Sequence, residues 1–297
     1  MNKRILRGFR NPETIKRKLR TNLVRPFVSD SSEKIQYLEQ DWDVLIILDA
    51  CRYDLFAEVN PFDVSVKKVH SNASHTREFI KRNFVSRDCR DTVYVTASPQ
   101  FADFELSFAH IEHVWQQHWD DELRTVRPEH VTKAAINIGA EYPNKRLIVH
   151  YMQPHYPFIG PTGRKIDGQA TFGPDRGSRY SSVWVQLAAD QISKETVQRA
   201  YQENLQIVLS EIDELQSTLT GKMVLTSDHG NLYGKQVCWL PFRIYGHPPR
   251  IHDCELIAVP WVEFPCEERR SIVSADEVAD TEQFKNVEER LRDLGYQ

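Results

Sequence analysis

The sequence predicts an α/β protein built on a doubly wound, mostly parallel sheet, and three stretches carry that expectation. Residues 44–48 (VLIIL) form an apolar, largely β-branched run that stops on Asp49, and residues 222–228 (KMVLTSD) repeat the pattern, stopping on Asp228. Each run is long enough for one buried parallel strand and too short for a helix burying the same face. The third stretch, residues 194–219, carries Val197, Tyr201, Leu205, Val208, Leu209, Ile212, Leu215 and Leu219 on one helical stripe, with Gly221 just past its end. It leads straight into the second strand, which is the alternation a doubly wound sheet requires. A carboxylate at the carboxyl end of a central strand lies where open α/β sheets bind ligands. Asp49 and Asp228, with His229 beside the latter, are therefore candidates for holding a divalent metal.

Composition narrows the function classes. The chain has 297 residues, and 38 Lys plus Arg against 42 Asp plus Glu leave a formal net charge of −4, so no nucleic-acid partner is expected. Five cysteines without a C-x-x-C pair argue against a disulfide framework or a thiolate metal site. No apolar stretch approaches the roughly 18 residues that span a bilayer. These features lead to the expectation of a cytoplasmic protein, peripheral at the inner membrane face if its amino-terminal arm binds there.

That arm, within residues 1–40, precedes a single catalytic domain over 41–297. Residues 1–27 hold nine Lys or Arg against Glu13, interleaved with Ile5, Leu6, Phe9, Ile15, Leu19 and Leu23. Two readings follow: a basic amphipathic arm lying on an anionic membrane or polyanionic partner, or a helix packed on the domain with a solvated basic face. On the first reading the arm serves location rather than chemistry.

After Asp49, residues 53–59 read as a short helix ended by Asn60-Pro61, and 62–69 as a strand. Residues 70–79 (HSNASHTREF) read as a loop entering a helix, with Ser74 or Thr76 near the N-cap and Glu78 in the first turn. A strand at 92–97 follows. Residues 101–119 place His110 and His113 on one helical face with His118 nearby, and packing is the expected role because no carboxylate lies at matching spacing. Helical periodicity over 128–142 leads into a strand at 146–150, ending in HYMQPHYP, so His150 or His155 should face the crevice of Asp49, with His150 closing the strand in the interior. Residues 159–182, rich in Gly, Pro, Ser and Arg, read as a long surface loop. Arg164, Arg176 and Arg179 in it either hold an anionic leaving group or are solvated. His247 precedes a strand at 256–262, and residues 275–294 read as a helix lying on the sheet edge.

Three motifs resemble the alkaline phosphatase and sulfatase superfamily. ILDACRYD is similar to its D-x-x-R-x-D opening and TSDHG to its S-D-H-G metal motif; HYMQPHYPF is similar to its H-x-P-Y segment, with Phe158 in the Tyr position. They occur in the family's order across most of residues 41–262. The resemblance implies a three-layer alkaline phosphatase-like fold with a metal held by Asp49, Thr76, Asp228 and His229. It also implies Thr76 as nucleophile in the loop that opens a helix, with Ser74 in reserve. His155 would contact phosphoryl or sulfuryl oxygens or a second metal, and His247 and Gln153 would join it in either role. The implied activity is a metal-dependent hydrolase or transferase of phosphate or sulfate esters. Its substrate would be a phosphorylated or sulfated small molecule, glycan or lipid head group, and the alternative is a non-catalytic member of the fold binding such an anion. Departures sharpen this. No C-x-P-x-R is present, so the formylglycine of typical sulfatases has no precursor. A nitrogen ligand after Asp228 favours manganese or zinc over calcium. Gln153 stands where two-metal relatives carry Asp, so the pattern matches the one-metal lipoteichoic acid synthase branch.

Overall fold

The computed structural model describes residues 12–28, 31–169 and 182–273. Its strands, in chain order, are β1 (Val44–Asp49), β2 (Lys67–His70), β3 (Asp88–Thr96), β4 (Ser107–His113), β5 (Trp119–Asp120), β6 (Thr125–Val126), β7 (Arg146–Pro154), β8 (Met223–Ser227), β9 (Leu232–Gln236), β10 (Arg243–Gly246) and β11 (Ala258–Glu263). The helices that matter to the site are α1 (Pro12–Val24), α2 (Tyr53–Val59), α3 (Thr76–Asn83), α4 (Pro128–Glu141), α5 (Val183–Ala188), α6 (Lys194–Leu209) and α7 (Ile212–Thr218).

Seven strands form one sheet in the order β2-β11-β8-β1-β7-β3-β4. The contiguous strands β8, β1, β7, β3 and β4 are parallel, while β11 runs antiparallel to both β8 and β2. β1 lies at the centre, and all six of its residues are buried. Its side chains divide between two cores, as the period of two demands. Val44, Ile46 and Leu48 pack with Phe56 of α2, Val131 and Ala135 of α4, and Tyr201 and Leu205 of α6. Leu45 and Ile47 pack with Phe79 and Ile80 of α3, Tyr37 and Trp42. Helices therefore cover both faces of a mostly parallel sheet, the doubly wound α/β architecture expected from the two strand runs. By the same parity Asp49 opens toward the face of α3.

The differences from the sequence reading are local. Residues 107–113 are an edge strand, not part of a helix: exposure alternates at its start, and Phe108 and Ile111 turn to the core beside β3. The histidines of residues 101–119 pack, as expected: His110 stacks on Tyr142, His113 lies edge-on to Trp115, and His118 stacks on His130. The stripe over 194–219 is divided into α6 and α7 by Ser210 and Glu211. The strand expected at 62–69 is confined to β2. α1 packs on the domain against β10 and α5, with Val24 in a small core with Leu232, Ile244, Ile251 and Leu256. The helix expected at 275–294, and Arg176 and Arg179, lie outside the described residues; Arg164 is spent on the Ile159 carbonyl at 2.8 Å.

Candidate metal and nucleophile site

Three neighbouring strands, β8, β1 and β7, deliver the site from their carboxyl ends. Asp49 closes β1, Asp228 and His229 follow β8, and His150 lies within β7 opposite Ile47. One ligand atom each from Asp49, His150 and Asp228 lie within 4.8 Å of one another, all three residues being buried. His229 joins them, with Nε2 at 3.3 Å from Asp228 Oδ2 and 3.8 Å from Asp49 Oδ1. Thr76, the first residue of α3, brings Oγ1 to 3.2 Å from the same Nε2. The chain thus gathers Asp49, Thr76, Asp228 and His229, the set that the resemblance named, and adds His150.

The surrounding backbone is built to hold this set. Ala50 adopts φ 62, a left-handed conformation unusual for a residue with a Cβ. Its N–H donates to Asp228 Oδ1 at 2.9 Å, and its carbonyl accepts from Asn231 Nδ2 and from the Tyr201 hydroxyl. The His229 N–H also donates to Asp228 Oδ1, at 2.8 Å. Ser227 Oγ donates to the His229 carbonyl and accepts from the Cys51 N–H, stitching the β1 and β8 ends together. The arginine of D-x-x-R-x-D does not reach the cluster. Arg52 is gripped by Asp54, 2.8 Å from Nε to Oδ1, and its Nη1 donates to the Asn231 carbonyl, so this motif braces the loop after S-D-H-G.

Hydrogen bonds fix which imidazole nitrogens are bare. His229 Nδ1 faces the Gly230 carbonyl at 2.8 Å, which can only accept, so Nδ1 carries a proton and Nε2 is the nitrogen that faces the carboxylates. The same logic leaves Nε2 bare on His155, whose Nδ1 faces the Tyr156 carbonyl. His247 Nδ1 lies 2.7 Å from Asn231 Oδ1, with the same result. His150 Nδ1 pairs with the Tyr94 hydroxyl at 2.9 Å. Asp49 Oδ1, Asp228 Oδ2 and His150 Nε2 are buried without a hydrogen-bond partner. The two carboxylate oxygens, acceptors with no donor upon them, repel one another and lose hydration unless a cation lies between them. A divalent metal fits these residues.

Electrostatics agree. Burial and the neighbouring Asp228 push the Asp49 carboxyl well above its ordinary value, against a hydrogen bond from Thr76. Burial also pushes Asp228 upward, but His229, His150 and the Ala50 N–H outweigh it and hold the carboxyl low. Burial lowers His150 to about 4 and His155 to about 3, and drives His247 well below its ordinary value, so these rings are neutral at pH 7.

The other candidates fall as follows. His155 and His247 lie together, ring centroids 4.9 Å apart, and His247 is 4.8 Å from His229. Gln153 is buried, its Nε2 donating to the Val126 carbonyl at 3.0 Å. Ser74 Oγ donates to Glu78 Oε2 at 2.9 Å and lies 3.2 Å from the Pro248 carbonyl, which marks it as a brace of the loop. The N-cap of α3 is neither Ser74 nor Thr76 but His75, whose Nδ1 accepts from the Arg77 N–H at 3.2 Å. His150, read from the sequence as facing the crevice of Asp49 or closing the strand in the interior, gains a ligand role only from the position of β7 beside β1.

No family model matches the chain, and no curated protein matches it. Among solved structures it is similar to the integral membrane protein lipooligosaccharide phosphoethanolamine transferase A from Neisseria meningitidis, at 14% identity and a TM-score of 0.49, over 75% of this chain and 47% of that one. It is similar to the C-terminal periplasmic domain of EcEptC from Escherichia coli in complex with zinc, at 15% identity and a TM-score of 0.45, over 75% and 72% of the two chains. A third is a protein in the alkaline phosphatase superfamily from Vibrio parahaemolyticus, at 9% identity and a TM-score of 0.41, over 85% and 69%. The chain spans about half the length of the first of these, 47%. The expectation of a cytoplasmic protein at the inner membrane face is overturned by these neighbours, which include periplasmic domains and an integral membrane protein. Unpaired cysteines and the lack of an apolar span were never compartment markers by themselves; among the described residues no helix is long and apolar enough to cross a membrane. A mostly parallel sheet with D-x-x-R-x-D and S-D-H-G at adjacent strand ends is an alkaline phosphatase-like fold.

Proposed function

We propose that this chain is a metal-dependent hydrolase or transferase of phosphate esters, with sulfate esters as the competing substrate class and Thr76 as nucleophile. The observation that carries the reading is the convergence of unpartnered buried atoms of Asp49, Asp228 and His150 beside the Thr76 hydroxyl. Asp49, Thr76, Asp228 and His229 would hold the metal, with a ring nitrogen of His150 within 4.8 Å of both carboxylates' ligand atoms. When bound, the metal neutralises charge on the ester oxygens and favours the ionised threonine oxygen. Thr76, its hydroxyl proton released to solvent, then forms a bond to phosphorus in line with the departing ester oxygen, which leaves with the electron pair of the broken bond and takes a proton from water. Water or an acceptor alcohol releases the phosphoryl group from the threonine, which decides between hydrolysis and transfer. The position of Thr76 at the start of α3 adds the positive end of a helix to the same site. For His155 and His247, bare Nε2 atoms favour a second cation over direct contact with a phosphoryl oxygen, because a lone pair repels an oxyanion.

The substrate belongs to the phosphorylated or sulfated small molecules, glycans or lipid head groups. Peripheral contact with an anionic membrane is supported by α1, which turns Leu19 and Leu23 outward in line with Phe27, more than half exposed, beside exposed Lys16 and Lys18. Trp239 of the β9–β10 connection, 72% exposed, lies edge-on to Phe27. The test is turnover of an aryl phosphate, a phosphodiester and an aryl sulfate with manganese or zinc, followed by acid quench and a search for phosphorylated Thr76. Absence of turnover on all three with either metal refutes the enzymatic reading.

A further inference from the structure

Asn231, in the turn between β8 and β9, follows D-H-G directly, and its buried side chain joins two parts of the site. Both ends of its amide are engaged. Nδ2 donates to the Ala50 carbonyl at 3.3 Å and to the hydroxyl of Tyr201 of α6 at 2.9 Å, while Oδ1 lies 2.7 Å from His247 Nδ1. Its backbone is held as well, since its carbonyl accepts from Arg52 Nη1.

These bonds leave one place for each proton. The Ala50 carbonyl can only accept, so of the two ends of the amide the NH2 must face it. The Tyr201 hydroxyl gives its own proton to that same carbonyl and meets Asn231 with its oxygen. Oδ1 is thereby turned to His247, and an acceptor there demands that Nδ1 carry the proton. Burial keeps the ring neutral, so Nε2 is left with its lone pair. The state of His247 is therefore set from the turn that follows Asp49. The N–H of Ala50 donates to Asp228 Oδ1 at 2.9 Å, so one stretch of backbone addresses the metal cluster through its N–H and His247 through its carbonyl and Asn231. His155 and His229 differ in this respect. They turn Nδ1 to backbone carbonyls, which fix it whatever side chains surround them, whereas His247 has a side chain in that place.

We infer that Asn231 is a positioning residue, which fixes the tautomer and ring orientation of His247 and presents its Nε2 to the site as an acceptor. Arg52 of D-x-x-R-x-D serves the same end by holding the backbone of Asn231, which gives that arginine a task although it does not reach the cluster. That His247 then takes a cation rests on the proposed ester chemistry; its orientation does not.

Nitrogen NMR of the imidazoles in the metal-free full chain tests it, with the His247 signals assigned by their loss in His247→Gln. The two nitrogens of a neutral ring resonate far apart, so the position of the proton is read directly. The wild type should show His247 as a single Nδ1–H tautomer. A proton on Nε2, or an average of the two forms, overturns the inference before any variant is made. Asn231→Ala should release the ring into exchange between both tautomers, while the His155 signals stay where they are. Asn231→Asp, which keeps an oxygen toward Nδ1, should keep the proton there. A single Nδ1–H tautomer in folded Asn231→Ala overturns the inference, as does loss of the Nδ1 proton in Asn231→Asp. In turnover with manganese or zinc, Asn231→Ala should lose about 10- to 100-fold in kcat/KM, the range for a residue that orients a metal-ligating imidazole. Full turnover in a variant whose His247 exchanges freely overturns the positioning role. If the wild type turns over no ester yet shows the Asn231-dependent tautomer, the catalytic reading fails and the positioning stands.

Discussion

Replacing Asp49 by Asn in metal-free protein tests the cluster through stability. Two buried carboxylates have ligand atoms within 4.8 Å of each other, and one oxygen of each, Asp49 Oδ1 and Asp228 Oδ2, is without a hydrogen-bond partner. At an effective dielectric constant of about 20, two unit charges 4.8 Å apart repel by about 3.5 kcal/mol, a cost that Asp49 partly escapes by keeping its proton. The sign follows from that retained proton. An acid whose folded pKa is raised binds more protons when folded than unfolded, so metal-free stability falls as pH climbs from the ordinary carboxylate value toward the raised one. Asp228 works the other way, its lowered pKa giving stability that is lost on acidification. Asp49→Asn removes the repulsion and keeps the volume. Chelator-treated Asp49→Asn should therefore match the wild type only near the ordinary carboxylate value, at about pH 4, and melt several degrees above it by pH 8. Manganese or zinc should stabilise the wild type and leave the variant nearly unmoved. A variant that melts below the metal-free wild type at every pH, or gains as much from metal, would refute the cluster as a cation site.

Thr76→Ala should abolish turnover of any ester the wild type accepts, whereas Thr76→Ser keeps part of it; a fully active Thr76→Ala would transfer the attack to water. Ser74→Ala should still yield the acid-stable phosphopeptide and lose about 1 kcal/mol of stability with its Glu78 bond, and loss of the phosphopeptide would reinstate Ser74 as nucleophile. His75→Ala should cost about 1 kcal/mol in thermal unfolding through the lost cap, and His75→Asn should recover it; equal melting of the two would deny the cap. Leu19→Asp with Leu23→Asp should weaken sedimentation with phosphatidylglycerol vesicles at least tenfold without lowering the melting temperature, since both side chains are more than half exposed; unchanged sedimentation would remove the membrane reading.

Much of this site was legible before folding, for a reason visible at Asp49 and Asp228: an apolar strand that stops on a charge marks both where the strand ends and what its end offers. Thr76 was legible only with the resemblance, because Ser and Thr before a helix are otherwise caps, and here the cap proved to be a histidine. His150 needed strand order. Its neighbours in sequence are apolar, and it becomes a ligand candidate only because β7 lies beside β1 with His150 opposite Ile47. Arg17 needed tertiary packing. Among nine basic residues in the first 27, nothing local marks Arg17 as one whose side-chain nitrogen, like that of Arg25, is buried.

Ala50 bears on how substitutions here should be interpreted. Its left-handed backbone is held by Asp228, through the N–H at 2.9 Å, and by the groups bonded to its carbonyl. Asp228 is thus both a ligand candidate and the clamp on the turn that aims Asp49. Removing it releases the turn, so its loss displaces a second ligand without touching it. The effects of Asp49 and Asp228 substitutions will not add. Metal affinity lost in Asp228→Ala measures a severed ligand plus a misaimed one, and a cycle with Asp49→Ala would expose the shared part as a large coupling. Ala50→Gly is the cleaner probe, since it loosens the hinge while leaving every ligand in the chain.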